Sequence, residues 1–468
     1  MGKTLGAGLA EQERQAFAAR LAQELGADQS LTGAPCAAYA IQGLSPVVVA
    51  RPATTAGVET ALRLAAEAGA AVAPWGNGSR MALGYPPRRL DMVLSLERLD
   101  RVVAYDPADL TITVEAGMTH ETLAQTLFVA RQMLPLDPPL PRRATIGGTL
   151  ATGIVGMRRS LYGAPRDVTL GMRVVDAAGQ SLKAGGAVVK NATGYGMTRL
   201  YVGSLGTLCV ITEASFKLAP APEAEMTLLA AAPARQAFAS VTALNALAVR
   251  PSAMVAMHIG ALPELARLVP GHERRELLAI RMPGTEAAVK RAIAESESAL
   301  RKAEIEPLMT LDGPNHAAFW ASANDFPALR IHPREALVRV STLPDAVAAA
   351  LDMANSLADE HRLSLFWVAD LATGTLWLRL SAPSDNPDGE RDGAMLNRDA
   401  AFAHGMRVII QSLIQRWRHV TTLACPVQLK TDLPVWGADP AAEPLMREIK
   451  RRFDPANRLN PGRFVSDI

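Results

Sequence analysis

The sequence predicts an α+β protein of more than one domain, and three observations carry that prediction. Residues 46–75 read as strand, helix and strand in quick succession. The next third of the chain sets glycine-bearing turns after several β-branched runs. The remainder alternates strand-like runs with amphipathic helices, the order of an antiparallel sheet backed by helices. At 468 residues, roughly two or three domains are expected.

Taken in order, "EQERQAFAARLAQEL" (11–25) has apolar residues at helical spacing among good helix formers. "PVVVARP" (46–52) is a β-branched run stopped by Pro52. In the helix that follows, Thr54 or Thr55 is the cap, Val58, Leu62 and Ala65/Ala66 form one face, and Gly69 closes it. "AVAPWG" is a short buried strand that opens into the loop "NGSRMALG". "LTITVEAG" alternates, with Leu110, Ile112 and Val114 on one face, after a turn at Asp106-Pro107. "HETLAQTLFVARQ" is helical. "MLPLDPPLPRRATIGGTLATG" is expected to be an extended loop ending in a glycine pair, because its prolines lack donors and fix φ. "VTLGMRVVDAAGQSLKAG" is hairpin-like, and "LGTLCVITEASFKLAP" is a glycine turn followed by a strand. Residues 218–225 are the best linker. Beyond them "RELLAIRMPG", "EALVRVSTLP", "LSLFWVAD" and "TLWLRLSAP" read as strands, and "TEAAVKRAIAESESALRKA" and "PDAVAAALDMANSLADEH" as helices. Residues 381–399 read as a polar surface loop.

Composition excludes several classes. A net charge of +2, with scattered Lys and Arg, does not predict a nucleic-acid partner. The three cysteines, Cys36, Cys209 and Cys425, are far apart, with no CxxC, so neither a zinc site nor an iron–sulfur ligand set is expected. They read as buried thiols in a reducing compartment. Without an apolar run of signal-peptide length at the N-terminus, or of membrane-span length elsewhere, the cytoplasm is the expected location. "GKT" at 2–4 lacks the rest of a P-loop. The sequons at Asn77 and Asn191 are idle without secretion. No His pairing resembles a metal motif, so no metal is expected.

Four glycine-bearing segments then stand out: Gly76/Gly78, Gly147/Gly148, Tyr162-Gly163 and Gly203/Gly206. Any one is ordinarily a turn. Four within one domain point to backbone amides approaching phosphate oxygens. The pattern is not a Rossmann fingerprint, since no GxGxxG opens a helix.

"PWGNGSRMALG", "ITVEAGMTHETL", "PRRATIGGTLATG", "LYGAPRDVTLGMRVVDAAG", "GGAVVKNATGYGMTRLYVGSLGTLCVITEASFKLAP" and "MREIKRRFDPANRLNPGRF" resemble, in order, the FAD-linked oxidases of the vanillyl-alcohol-oxidase type. Within them the FAD-binding subunits of bacterial glycolate oxidases are the nearest group. The resemblance implies an N-terminal helical segment (1–41) and a two-subdomain FAD-binding domain of the p-cresol-methylhydroxylase type (42–221). A C-terminal α+β cap or substrate domain (222–468) would follow, its tail returning to the flavin domain. It implies that Pro74, Trp75, Gly76, Asn77, Gly78, Ser79 and Arg80 wrap the FAD pyrophosphate, with Gly117, Thr145, Ile146, Gly147 and Gly148 beside it. Tyr162 and Gly163 would line the same cleft. Gly206, Val210 and Ile211 would offer backbone groups near the flavin or adenine, and Asn460 and Arg463 would return to the site from the tail.

Relatives with a covalent flavin often carry a His in or just after the first loop; Arg80 stands there instead, so FAD is expected to be held non-covalently. The related Gly-Tyr-Asp reads Gly194-Tyr195-Gly196. Neither the His-rich, GDGN-bearing strand–turn of the family's catalytic subunits nor its second His motif is present, so no general base is named. Arg339 and Arg379 lie in strand-like runs and are candidates for a substrate carboxylate, as is Lys190 beside the Gly-rich segment; an exposed strand face or an ion pair is the other reading of the two arginines. The resemblance implies an oxidoreductase acting on a small 2-hydroxy acid, working with a homologous FAD subunit and a separate Fe–S subunit, and reaching a membrane only through partners. A self-sufficient flavin oxidase or dehydrogenase, or a non-catalytic scaffold subunit, remains an alternative.

Overall fold

Thr54 stops an extended run and turns it into a helix: its Oγ1 accepts a hydrogen bond from the Gly57 amide at 3.2 Å. The helix Thr55–Ala68 buries Val58, Ala61, Leu62, Leu64 and Ala65, and ends on Gly69 in the left-handed region. That chemistry repeats along the chain, with Thr119, Thr145 and Thr285 each capping a helix through the side-chain oxygen. A computed structural model describes residues 9–187, 196–262, 265, 267, 269, 276–328, 332–382 and 394–468, with backbone alone for 394–399. The fold is α+β. It divides into two units: Met1–Val155, Gly163–Ala221 and Asp439–Ile468 form the first, and Gly156–Tyr162 with Pro222–Ala438 the second.

In the first unit a four-stranded sheet runs Ser30–Thr32, Val48–Ala50, Met92–Ser95, Val72–Trp75. Val48–Ala50 and Val72–Trp75 both pair in parallel with Met92–Ser95. A five-stranded antiparallel sheet runs Val102–Asp106, Thr111–Glu115, Val210–Lys217, Thr169–Val175, Ser181–Gly185. One core joins the two sheets and takes in Phe17, Leu21 and Leu25 of the helix Glu11–Leu25. The first unit is closed by residues from the far end of the sequence. Leu459 bridges to Val72, with Val72 N–H bonded to the Arg458 carbonyl and Asn460 N–H to the Val72 carbonyl.

Three local readings differ from the structure. Residues 146–152 form a helix rather than the end of an extended loop. Thr145 supplies its cap, and the glycine pair lies within its first turn, so two weak helix formers are carried by capping and tertiary contact. Leu110 is outside its strand, at φ +55, ahead of Thr111–Glu115. The linker region is partly paired: Ala219–Pro220 bridges to Gln132–Met133, and a strand starts at Ala224.

The second unit is built on an eight-stranded sheet, antiparallel throughout. Its order is Glu306–Leu311, Ala224–Ala231, Glu276–Gly284, Ala253–His258, Ser364–Asp370, Thr375–Ser381, Glu335–Ser341, His419–Ala424. Helices Ala234–Asn245, Glu286–Lys302, Val347–Glu360 and Ala394–Arg416 share one core with one sheet face. Phe319 and Trp320 of the helix Gly313–Asp325 pack with the other. Four of the eight strands, and three of these five helices, lack a clear signal in the sequence. The helix Ala394–Arg416 begins inside the segment expected to be loop; residues 383–393 of that segment lie outside the described residues.

One charged knot ties this unit together. Glu225 takes bidentate hydrogen bonds from Arg158 and Arg281 at 2.7–3.1 Å, and His316 Nε2 lies 3.8 Å from it. Arg281 also stacks over Trp320, 5.2 Å from the ring centroid. Burial pushes the Glu225 carboxyl up, but His316, Arg281 and Arg158 outweigh it and hold it at about 2. Because the folded value lies below the ordinary 4.5, the carboxylate's contribution is fully present above pH 4.5 and is lost as pH falls toward 2. Its size at neutral pH is on the order of 3 kcal/mol. We expect the thermal midpoint to fall across that window in the wild type. In Glu225→Gln it should start lower, since two buried guanidiniums lose their counter-ion, and show a flatter acid limb in a melt-versus-pH series.

Candidate functional site

Val72–Trp75 delivers the chain to a turn whose amides have nothing to do. The main-chain N–H groups of Gly76, Asn77, Gly78 and Ser79 make no hydrogen bond to the rest of the chain among the described residues. These residues are half-buried, and four unpaired donors in a row along the wall of a recess form a set suited to an anionic acceptor from outside the chain. They line a recess open to solvent, with Pro74, Arg80, Met81, Thr145, Gly148, Ala151, Thr152, Leu205, Gly206, Asn460 and Arg463. A second recess shares Pro74, Gly76, Thr145, Gly148, Ala151 and Gly206, and adds Trp75, Leu96, Ala116, Gly147, Cys209 and Ile211. Sharing six residues, the two form one continuous trough.

The trough exists because side chains are missing where backbones meet. A Cβ on Gly76 would lie 2.3 Å from Thr145 Oγ1, and one on Gly78 2.3 Å from the Trp75 ring. On Gly147 it would meet Ala116 Cβ at 2.8 Å. Gly78 also needs its positive φ of +67.

The tail supplies the remaining wall. Asn460 Nδ2 donates to the Leu205 carbonyl at 2.7 Å, setting the Leu205–Gly206 turn. Arg463, 2% exposed, donates to Asn460 Oδ1 and to the carbonyls of Met81 and Leu83 at 3.0–3.2 Å. Burial lowers its pKa to about 10, so it stays charged at neutral pH. Behind both, Lys450 Nζ donates to Asp454 Oδ2 and to the carbonyls of Thr207 and Leu459 at 2.7–3.0 Å, all buried.

Of the residues expected at the site, Pro74, Trp75, Gly76, Asn77, Gly78, Ser79, Arg80, Thr145, Gly147, Gly148, Gly206, Ile211, Asn460 and Arg463 line the trough. Ile146 and Val210 are packed in the core, behind the wall. Gly117 allows close packing instead: a Cβ there would lie 2.0 Å from the Leu96 carbonyl. Gly163, at φ +85, turns the chain before the helix Pro165–Val168, and Tyr162 belongs to the second unit. Met81, Leu96, Ala116, Ala151, Thr152, Leu205 and Cys209 were not foreseen. Ala151 and Thr152 follow Gly148 at helical spacing, so reading 146–152 as a helix would have found them.

In the second unit Arg379 is bound to Glu335 at 2.7 Å, which takes it out of a carboxylate clamp. Arg339 has no such partner among the described residues. Lys190, Gly194 and Tyr195 lie outside the described residues.

The donor set suits a dinucleotide's bridging phosphates: free amides, glycine walls and the cation of Arg80. Residues 46–185 match the family described as FAD binding domain, and residues 436–464 that described as FAD linked oxidases, C-terminal domain. The chain is 27% identical over 430 residues to glycolate oxidase subunit GlcD of Bacillus subtilis (strain 168), covering 90% of this chain and 89% of that one. It is 42% identical over 154 residues to glycolate oxidase subunit GlcE of Escherichia coli (strain K12), covering 33% of this chain and 43% of that one. The crystal structure of p-cresol methylhydroxylase with substrate bound aligns with a TM-score of 0.75 over 97% of each chain, at 17% identity, a likeness of fold alone.

Replacing Gly78 by Ala forces a side chain into the left-handed region, at roughly 1–2 kcal/mol, and into the Trp75 ring. We expect about tenfold weaker FAD binding or worse, measured by flavin fluorescence titration of apoprotein, with far-UV circular dichroism unchanged. Gly76→Ala should act in the same direction by pushing Thr145 off its cap.

Proposed function

We propose, from the premise that this chain belongs to the FAD-linked oxidases, that it is the FAD-binding oxidoreductase subunit of a 2-hydroxy-acid dehydrogenase complex of the glycolate oxidase kind. The observation that carries the reading is the trough with its row of unsatisfied amides, Gly76 to Ser79, inside the segment that matches the FAD binding domain. When bound, FAD supplies a two-electron acceptor for oxidation of the substrate's CH–OH group.

The chain's own residues divide the remaining work. The amides of 76–79 and the Arg80 guanidinium hold the pyrophosphate, with the helix capped by Thr145 beside it. Gly206 and Ile211 offer backbone to the ring systems. Asn460 and Arg463 fix the turns that face the cofactor. Attachment is non-covalent, since Arg80 stands where a His would be needed. In the second unit Arg339 is the cation for a substrate carboxylate.

One observation supports work within a complex: the relatives with glycolate oxidase names are themselves described as subunits. A separate Fe–S subunit as the electron acceptor is part of the proposal. No helix of the described residues is long and apolar enough to cross a membrane; cytoplasmic residence, with membrane contact through partners, goes with this reading.

The test is spectroscopic. Purified chain should be yellow, and acid precipitation should leave the flavin in the supernatant, showing non-covalent binding. Anaerobic glycolate or D-lactate should bleach the visible band when co-purifying partners are present. A colourless chain that takes up no FAD would overturn the reading at its root. Full bleaching by the isolated chain would replace the complex with a self-sufficient enzyme.

A further inference from the structure

The turn ahead of the strand Val48–Ala50 breaks a local rule. Ile41 and Leu44 bond to each other through both N–H groups, at 2.8 and 3.1 Å, around Gln42 and Gly43. Both central residues have positive φ, +50 and +94. A two-residue turn of that kind favours Asn, Asp or Gly at its first position, and a longer side chain there holds a disfavoured conformation. Ile41 is fully buried in a small core with Val49, Ala73 and Val93. That core fixes the turn against the strand Val72–Trp75, which leads to the amides of Gly76 to Ser79.

The length of the Gln42 side chain is put to use. Its Nε2 donates to the carbonyls of Met81, Gly84 and Tyr85 at 3.2–3.3 Å. Three carbonyl oxygens around one atom settle which way the amide points, since the flipped form would set Oε1 against all three. Oε1 is buried with no hydrogen-bond partner among the described residues, so what this amide contributes goes through its N–H groups. The same stretch of chain is gripped from the far end of the sequence. Arg463 Nη2 donates to the carbonyls of Met81 and Leu83, both at 3.0 Å. Met81 takes a hydrogen bond from each side. Within the stretch, the Leu83 amide closes back on the Arg80 carbonyl at 3.0 Å. Arg80 and Met81 line the trough. The amides of Gly76 to Ser79 therefore lie between two anchored ends: the strand Val72–Trp75 before them and the clamped residues 81–85 after them.

We propose that Gln42 is a positioning residue for FAD, holding the far end of the cofactor loop so that the Gly76–Ser79 amides and Arg80 are set before the dinucleotide arrives. A loop ordered in advance loses less entropy on binding. Reach is the reason for Gln at this position. Asn suits the left-handed backbone better, but it is one methylene shorter and would leave the three carbonyls unmet. Local strain at φ +50 is exchanged for order at the cofactor loop. The assignment rests on the trough as the FAD site and on no assumption about substrate or partner subunits.

The experiment titrates apoprotein of the full chain with FAD by flavin fluorescence, beside thermal melts of the apoprotein. Gln42→Asn should weaken FAD about tenfold, the worth of one or two net hydrogen bonds. Its apoprotein melt should stay level, the relaxed backbone offsetting the lost contacts. Gln42→Met should lose affinity equally at every pH. Gln42→Glu is the diagnostic variant. Ionised, it has no donor and faces three carbonyl oxygens, which raises its pKa above the ordinary carboxylate range; protonated, its O–H donates to one of them. Its affinity relative to wild type should recover as pH falls from about 8 to about 5, with Gln42→Met flat over the same range. Unmoved affinity in Gln42→Asn and Gln42→Met, or a pH-independent loss in Gln42→Glu, overturns the role of Gln42 and leaves the proposed function standing. A lowered apoprotein melt in Gln42→Asn assigns the residue to the fold alone and overturns the role too. Wild-type chain that takes up no FAD overturns the proposed function, and this assignment with it.

Discussion

The trough of the first unit depends on one constraint: three stretches of backbone approach more closely than any side chain would permit. Gly76 faces Thr145, Gly147 faces Ala116 and Gly117 faces the Leu96 carbonyl. Each contact joins a different pair of elements, so the strand end at Trp75, the helix Ile146–Thr152 and the strand Thr111–Glu115 are fixed against each other by absent atoms. Thr145 lies at the centre. Its hydroxyl caps the helix through the Gly148 amide at 3.2 Å, and the same oxygen is the atom a Cβ on Gly76 would strike. Cap and close approach are therefore one arrangement, and it leaves the amides of the following turn unpaired.

That arrangement was partly legible in the sequence. Thr54, Gly69 and the β-branched runs announce their elements because the signal is local: a cap, a period, a breaker. Gly76 and Gly78 announce a turn, and their recurrence with Gly147/Gly148 and Gly206 announces more than turns. The same reasoning misread residues 133–153. Four prolines and three glycines argue against regular structure, yet the helix begins only after the last proline, and its stability comes from Thr145 and from Ile146 and Leu150 buried in the core. Nothing in that window reports a tertiary contact. Gly117 shows the opposite error, since a glycine beside the site belongs to packing, and only the position of the Leu96 carbonyl reveals it.

Sheet order was the least legible feature. The sequence marks four strands of the eight-stranded sheet, and four others lack period-two alternation strong enough to stand out. Ala253–His258 is an interior strand covered on both faces, so almost every residue is buried and the pattern is continuous rather than alternating. Arg339 and Arg379 look alike in sequence, each a lone cation in an apolar run. Register separates them: Arg379 stands two residues from the strand end, within reach of Glu335, and Arg339 is set opposite Trp377 and Thr421, where no carboxylate bonds to it among the described residues.

The tail adds a further dependence. Asn460 and Arg463 touch the site, but neither would hold its position on local conformation alone, since Asn457 and Asn460 both have positive φ. What holds them is the ion pair of Lys450 with Asp454, 6% and 0% exposed in their side chains. An ion pair that deep is favourable only if its remaining hydrogen-bonding groups are satisfied. Lys450 meets that condition by reaching the carbonyls of Thr207 and Leu459; Asp454 meets it at Oδ2, which also accepts from the Leu459 amide at 2.7 Å, while its Oδ1 is buried without a partner among the described residues. Those two carbonyls sit on the segments that carry Gly206 and Asn460. The charge pair is therefore more than a helix staple: completing its hydrogen bonds requires the turn of 205–207 and the tail of 459–463 to come together, and their meeting is what closes the trough.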